Sequence, residues 1–241
     1  MIHTTFTVNN QSLDGNIFYP PSMQTKSPAI LFIHGWTSVQ DRYYEQAEEL
    51  ATAGFVCLTF DMRGHGKSVG DIEALTRQNF IDDVLAAYDF LARNKSVDPE
   101  NITVIGSSFG SYLAALLSKR RNVKNLILRA PANYPDGSPD ETIFKYAKTA
   151  ETLAWRQQPR EINEVESLKS LKEFSGKILI VESGNDELVP HQTIQNYINA
   201  VEDKSTLTYF MMQGAPHSLS GSPQFKKEFE EIVKGWLRGK V

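Results

Sequence analysis

The sequence predicts an α/β fold: a mostly parallel sheet with helices on both faces. Three observations carry this. From residue 29 onward, short apolar runs of strand length alternate with amphipathic helical stretches. The runs are almost continuously apolar, as strands covered on both faces must be. The composition, 41% hydrophobic and 22% charged over 241 residues, is that of one large globular domain, or of one domain with an insertion.

Thr4–Val8 and Asn16–Tyr19 read as two early strands, with Asp14-Gly15 supplying turn chemistry before the second. Ala29–Ile33 and Phe55–Phe60 are buried strands, separated by a helix over Gln40–Ala53. Phe80, Ile81, Val84, Leu85, Tyr88 and Leu91 share one face at a period of 3.6 and predict a helix. Ile102–Ile105 is a strand followed by a small-residue helix through Leu117, and Leu126–Leu128 centres another strand. After an interruption, Lys177–Val181 and Thr206–Met212 are strands, and Pro190–Val201 and Pro223–Leu237 are helices.

The interruption spans residues 131–172 and is read as a helical insertion into a core of residues 1–130 and 173–241. It opens on a Pro/Gly/Asn turn cluster, Pro131 to Gly137. Ser138, Pro139 and Glu141 then match a capping box with proline at the first helical position, so a helix is predicted to start there.

Composition excludes several functions. With 25 basic against 29 acidic residues, the chain has neither the basic excess nor the stripe of a nucleic-acid binder. Lys119, Arg120, Arg121 and Lys124 read as a solvated helix end. Cys57 is the single cysteine and reads as a small buried hydrophobe. Met1–Thr5 carry neither the basic nor the apolar segment of a secretory leader, and no apolar stretch reaches 18 residues. A cytoplasmic protein without a membrane span is expected. The histidines stand in unrelated loops with no H-E-x-x-H, so no metal site is expected.

Sites in parallel sheets form beyond the carboxyl ends of the strands. There the chain carries Gly106-Ser107-Ser108-Phe109-Gly110, a G-x-S-x-G between a strand and a helix. Gly106 and Gly110 permit a tight elbow and lift Ser108 out as a candidate nucleophile. A serine hydroxyl needs a positioned base, and His217, just after the last strand, is the candidate. The base needs a carboxylate to orient it. Asp186, beyond the strand Lys177–Val181, is the candidate, with Glu182 and Glu187 as rivals. Two backbone N–H groups, of Phe109 and of Trp36 in His34-Gly35-Trp36-Thr37, are the candidate oxyanion donors.

With these residues in place, the chain resembles the α/β-hydrolases over essentially its whole length. His34-Gly35-Trp36, the stretch Asp61-Met62-Arg63-Gly64-His65-Gly66-Lys67-Ser68, the elbow, and Asp186 with His217 carry the resemblance. The Asp-x-Arg-Gly-His-Gly-x-Ser stretch is highly family-specific and is similar to that of the branch holding monoglyceride lipases, serine-aminopeptidase-like hydrolases and bacterial cinnamoyl esterases. The resemblance implies hydrolysis of a carboxylic ester, thioester or amide with no cofactor. It assigns Asp61, Arg63 and His65 to a structural loop and places residues 131–172 where the family carries a lid. Tyr134, Phe144, Tyr146 and Trp155 are then candidates for a substrate pocket, or pins of the lid to the sheet. A carboxylesterase acting on a small-molecule ester is the leading expectation. A thioesterase, a peptidase or a non-catalytic receptor of the same fold are its rivals.

Overall fold

The computed structural model describes residues 1–22, 26–138, 140–145, 147 and 149–240. The strands are β1 (Ile2–Val8), β2 (Gln11–Phe18), β3 (Ser27–Ile33), β4 (Val56–Phe60), β5 (Val97–Ser107), β6 (Asn125–Arg129), β7 (Lys177–Asn185) and β8 (Leu207–Pro216). They form one sheet in the order β1-β2-β4-β3-β5-β6-β7-β8. β1 and β2 pair antiparallel, β2 meets β4 antiparallel, and every pairing from β4 to β8 is parallel. The helices are α1 (Tyr44–Thr52), α2 (Arg77–Ala92), α3 (Phe109–Ser118), α4 (Ala150–Arg156), α5 (Glu166–Lys172), α6 (His191–Ala200) and α7 (Pro223–Leu237).

Strand periodicity divides the core. Ala29, Leu31, Ile33, Ile102, Val104, Leu126, Leu128, Ile178 and Ile180 face one way, into a layer containing α2, α3, α5 and α6. The alternate residues Ile30, Phe32, Ile105, Ile127, Leu179 and Val181 face α1 and α7. Side chains buried on both sides of a strand explain why these runs look unbroken in sequence. Each large one contributes about 1.5–3 kcal/mol of burial.

Several predicted elements shift. The first hairpin turns at Asn9-Asn10, both at positive φ (48° and 61°), with Val8 opposite Gln11. Asp14-Gly15, predicted as the turn, lies inside β2. Two asparagines tolerate the left-handed turn that a two-residue hairpin requires, and they outweigh the local turn signal of Asp-Gly. β7 and β8 both run past their predicted ends. Ser183 pairs with Met212 but Asn185 pairs with Pro216, so β8 bulges just before His217.

Among the described residues the predicted helix at Ser138 does not form. Glu141 N–H reaches the Ser138 carbonyl and Thr142 bridges to Thr76, leaving a single 3₁₀ turn at Ile143–Lys145. Pro139 lies outside the described residues. The first described α-helix of the insertion is α4, capped by Thr149, whose side chain accepts from Thr152 N–H. The 131–172 stretch divides in two. α5 buries Leu168 and Leu171 beside α3 and α6, as part of the sheet's helical layer. What stands outside that layer ends near residue 165. Arg156 ties α4 down, donating to the carbonyls of Asn133 (2.8 Å) and Leu188 (3.0 Å), with its guanidinium over the Tyr134 ring.

The tightest packing lies at the elbow. A Cβ on Gly110 would sit 2.1 Å from the Ile33 carbonyl oxygen, and one on Gly106 would sit 2.4 Å from the Gly110 carbonyl oxygen. Gly110→Ala is therefore expected to cost more than about 4 kcal/mol in urea unfolding, against about 2 kcal/mol for Ala114→Gly, which removes a buried methyl from the same helix. Equal losses would contradict this reading of the β3–α3 contact.

Candidate active site

Parallel strands bring their carboxyl ends to one edge of the sheet. Gly106 pairs with Ile33, Ser107 with Arg129, and Arg129 with Val181, so the loops after β3, β5, β6, β7 and β8 converge. Ser108 stands at the turn from β5 into α3 with φ 55° and ψ −115°. That conformation is costly for a side chain with a Cβ, about 1–3 kcal/mol. Its surroundings hold it. The Ser108 N–H donates to the Arg129 carbonyl (2.9 Å), and its carbonyl accepts from Ser111, Tyr112 and Ala132. Ser111 Oγ donates to the carbonyls of Gly106 and Arg129. Thr37 and Ala130, also at this edge, share the positive φ.

The structure brings the three predicted side chains together. His217 Nε2 lies 3.0 Å from Ser108 Oγ, and His217 Nδ1 lies 2.7 Å from Asp186 Oδ2. The other Asp186 oxygen accepts from the N–H groups of Leu188 (2.9 Å) and Val189 (2.8 Å). An ionised carboxylate only accepts, so Nδ1 carries the imidazole proton and the Nε2 lone pair faces the serine. The side chains of His217 and Asp186 are 12% and 4% exposed.

The rival carboxylates are elsewhere. Glu182 is turned toward α6 and β8, held by His191 Nδ1 (2.8 Å) and the Tyr209 hydroxyl. Glu187 is exposed. Phe109 is the first residue of α3, so its N–H has no acceptor within the helix. The Gly35–Trp36 loop lies against the elbow: a Cβ on Gly35 would sit 3.4 Å from Ser108 Cβ. The Trp36 ring meets Phe109, Phe80 and His65 edge-on, at centroid separations of 5.4, 5.5 and 5.8 Å.

The Asp61–Ser68 stretch is a scaffold behind this loop. Asp61 accepts from the Gln40 and Lys67 N–H groups and the Gln40 amide, and Ser68 Oγ donates to the Asp61 carbonyl. Arg63 is paired in the interior with Asp83 (2.6 Å). His34 and His65 clamp the two loops together. Nε2 of His34 accepts from Met62 N–H (3.0 Å) and Nε2 of His65 accepts from Thr37 N–H (3.2 Å), while their Nδ1 atoms donate to carbonyls.

Among the pocket candidates, Tyr134 is 2% exposed and packs edge-on against Phe109 and Tyr112, so it pins residues 131–135 to α3 and has no free face. Trp155 is half-buried under the Arg160 guanidinium. Tyr146 and the Phe144 side chain lie outside the described residues. Cys57 is buried, and burial pushes its thiol pKa up. Lys119, Arg120 and Arg121 pair with Glu173, Glu166 and Asp89 at the end of α3. Among the described residues no three His, Cys, Asp or Glu side chains cluster as metal ligands. No described helix is long and apolar enough to cross a membrane. Sequence reasoning missed Arg129, a buried cation ending an apolar strand. An arginine directly after Leu126–Leu128 was the available signal.

Burial lowers the His34 pKa from 6.5 to about 3, and lowers that of His65. The unfolded chain takes up the His34 proton near 6.5, the folded one near 3, so the unfolded state binds more protons between those values. Stability from this clamp is complete above pH 6.5 and is lost as pH falls toward 3. In urea titrations across that window, His34→Gln should be less stable than the wild type at neutral pH but lose stability less steeply, by up to about 1.4 kcal/mol per pH unit. Parallel acid limbs would show that His34 is not the titrating clamp.

The description "Serine aminopeptidase, S33" fits residues 24–168 of this chain. An uncharacterized protein of Mycobacterium tuberculosis is 24% identical over 209 residues, covering 85% of this chain and 68% of that protein. Lysophosphatidylserine lipase ABHD12 of Bos taurus is 24% identical over 228 residues, and the chain spans only 56% of its length. Est1E from Butyrivibrio proteoclasticus, solved with ferulic acid bound, superposes with a TM-score of 0.76 at 20% identity, covering 98% of both chains. A monoacylglycerol lipase of Paleococcus ferrophilus superposes with a TM-score of 0.71 at 16% identity, covering 95% of this chain and 99% of that one. The chain belongs to the serine aminopeptidase (S33) family and has the α/β-hydrolase fold.

Proposed function

We propose that this protein is a cofactor-free serine carboxylesterase acting on small to medium esters. The relay from Ser108 through His217 to Asp186, built on a strained elbow, is the observation that supports the reading. His217 Nε2 takes the Ser108 proton as Oγ attacks the ester carbonyl. Asp186 holds the imidazole by its Nδ1–H and stabilises the imidazolium. The N–H groups of Phe109 and Trp36 receive the oxyanion. Collapse of the tetrahedral intermediate passes the proton to the leaving alcohol and leaves an acyl-serine. A water deprotonated by the same histidine then releases the acid. Likeness to a protein solved with ferulic acid bound, and to a monoacylglycerol lipase, favours an ester over an amide. Residues 131–165 are proposed as a short roof over the leaving or acyl group.

A panel of p-nitrophenyl and methyl cinnamate esters, set beside an aminoacyl p-nitroanilide, tests the reading. Ester turnover should exceed anilide turnover. Ser108→Ala should remove at least about 10³-fold in kcat, and Asp186→Asn at least about 10²-fold. Glu187→Gln should leave turnover unchanged. Absence of ester turnover by the folded wild type would refute the esterase reading. A loss from Glu182→Gln as large as that from Asp186→Asn would refute the assignment of the acid.

A further inference from the structure

We infer that Arg129 is a positioning residue for the proposed hydrolysis, one guanidinium that sets the separations among the serine, acid and histidine loops. The inference rests on the esterase reading above.

Strand parity puts it in place. Ile105, Ile127, Leu179 and Val181 face α1 and α7, so two residues on from Ile105, Ile127 and Val181 lie Ser107, Arg129 and Ser183, on that same face. There, beneath the catalytic edge, the Arg129 side chain crosses under β7. Nη1 donates to Ser107 Oγ (3.0 Å). Nη2 donates to Ser183 Oγ (2.9 Å) and to the carbonyls of Pro216 (3.3 Å) and His217. Ser107 adjoins the nucleophile, Ser183 lies three residues before Asp186, and the last contact is to the base's own backbone. The Arg129 carbonyl meanwhile receives the Ser108 N–H and the Ser111 hydroxyl.

The His217 loop needs such an anchor. It follows a bulge in the edge strand β8, and Gln213, Gly214, Ser218 and Ser220 are exposed. A planar guanidinium presents its donors to three strand ends at fixed angles, whereas an ammonium on a flexible stem imposes no such geometry. The residue is 5% exposed, and all four acceptors are neutral. Burying a cation against neutral acceptors is unfavourable for folding alone. The nearby Asp186 carboxylate offsets part of that burial. An arginine here is therefore explained by placement of the acid and base better than by stability.

The test is steady-state ester hydrolysis by Arg129→Met, Arg129→Lys and Arg129→Ala, each checked for folding by circular dichroism. The low-field proton resonance of the His217–Asp186 hydrogen bond is recorded in parallel. Arg129→Met should lose about 10²-fold in kcat with KM changed less than about threefold, since loop misplacement of an ångström costs that much. Arg129→Lys should fall between, and the low-field resonance should weaken or shift in both. Added guanidinium at tens of millimolar should restore kcat of Arg129→Ala by about tenfold, while urea and sodium chloride at the same concentrations do not. If the Met and Ala variants fail to fold, Arg129→Lys and Ser183→Ala carry the test: lower kcat at unchanged KM supports the inference. Folded variants with wild-type kcat and an unchanged resonance would overturn it, even with a lowered melting temperature. Absence of turnover by the wild type would instead be a failure of the esterase reading.

Discussion

The site depends on a close approach of backbones. α3 meets β3 so tightly that Gly110 has no space for a methyl group against the Ile33 carbonyl, and Gly106 has none against Gly110. That contact forces the chain to turn at Ser108 with φ 55°. The turn lifts the hydroxyl above the sheet and leaves the Phe109 N–H unused at the start of α3. The parallel sheet then supplies the partners, because β7 and β8 end at the same edge and deliver Asp186 and His217 beside the serine. Strain at the elbow is tolerated because the hydrogen bonds around Ser108 and a core of fully buried strands over-determine it.

A second layer keeps the loops from moving independently. On the β3 side, two neutral histidines with ring centroids 4.8 Å apart join the Gly35–Trp36 loop to the Asp61–Ser68 loop. Their burial keeps them uncharged, which suits rings that must accept a backbone N–H at Nε2. Below the edge, the Arg129 guanidinium joins β5, β7, the end of β8 and the His217 backbone just beyond it. Hydrogen bonds outside the Ser108–His217–Asp186 relay thus hold the loops that carry it.

Much of this was legible in the sequence, for a physical reason. Strands buried on both faces need apolar runs, and an elbow without room for side chains needs glycines at 106 and 110. The base and acid must follow strands. Ser108, Asp186 and His217, which the structure brings within hydrogen-bond distance of one another, could therefore be picked out as candidates from local pattern and order. What escaped depends on tertiary context. Asp14-Gly15 carries turn chemistry yet lies in a strand, because its neighbours pair with β1 and β4. Ser138 and Glu141 match a capping box, yet the segment spends its backbone on a bridge to Thr76. Tyr134, an attractive pocket residue by type, is consumed in packing Phe109, Tyr112 and Arg156. Arg129 was hidden because its one local signal, an arginine directly after an apolar strand, does not by itself tell a surface side chain from one reaching 88 residues along the chain to a histidine loop.

The central claim is that Ser108 is the nucleophile, activated by its place at this edge. The most direct measurement is tandem mass spectrometry of the protein after reaction with a fluorophosphonate, which forms a stable adduct on an activated serine. The account predicts one adduct per chain, on the peptide containing Ser107 and Ser108 and fragmented to Ser108, with ester turnover lost in proportion to labelling. An adduct on another residue, or full turnover by completely labelled protein, would contradict it.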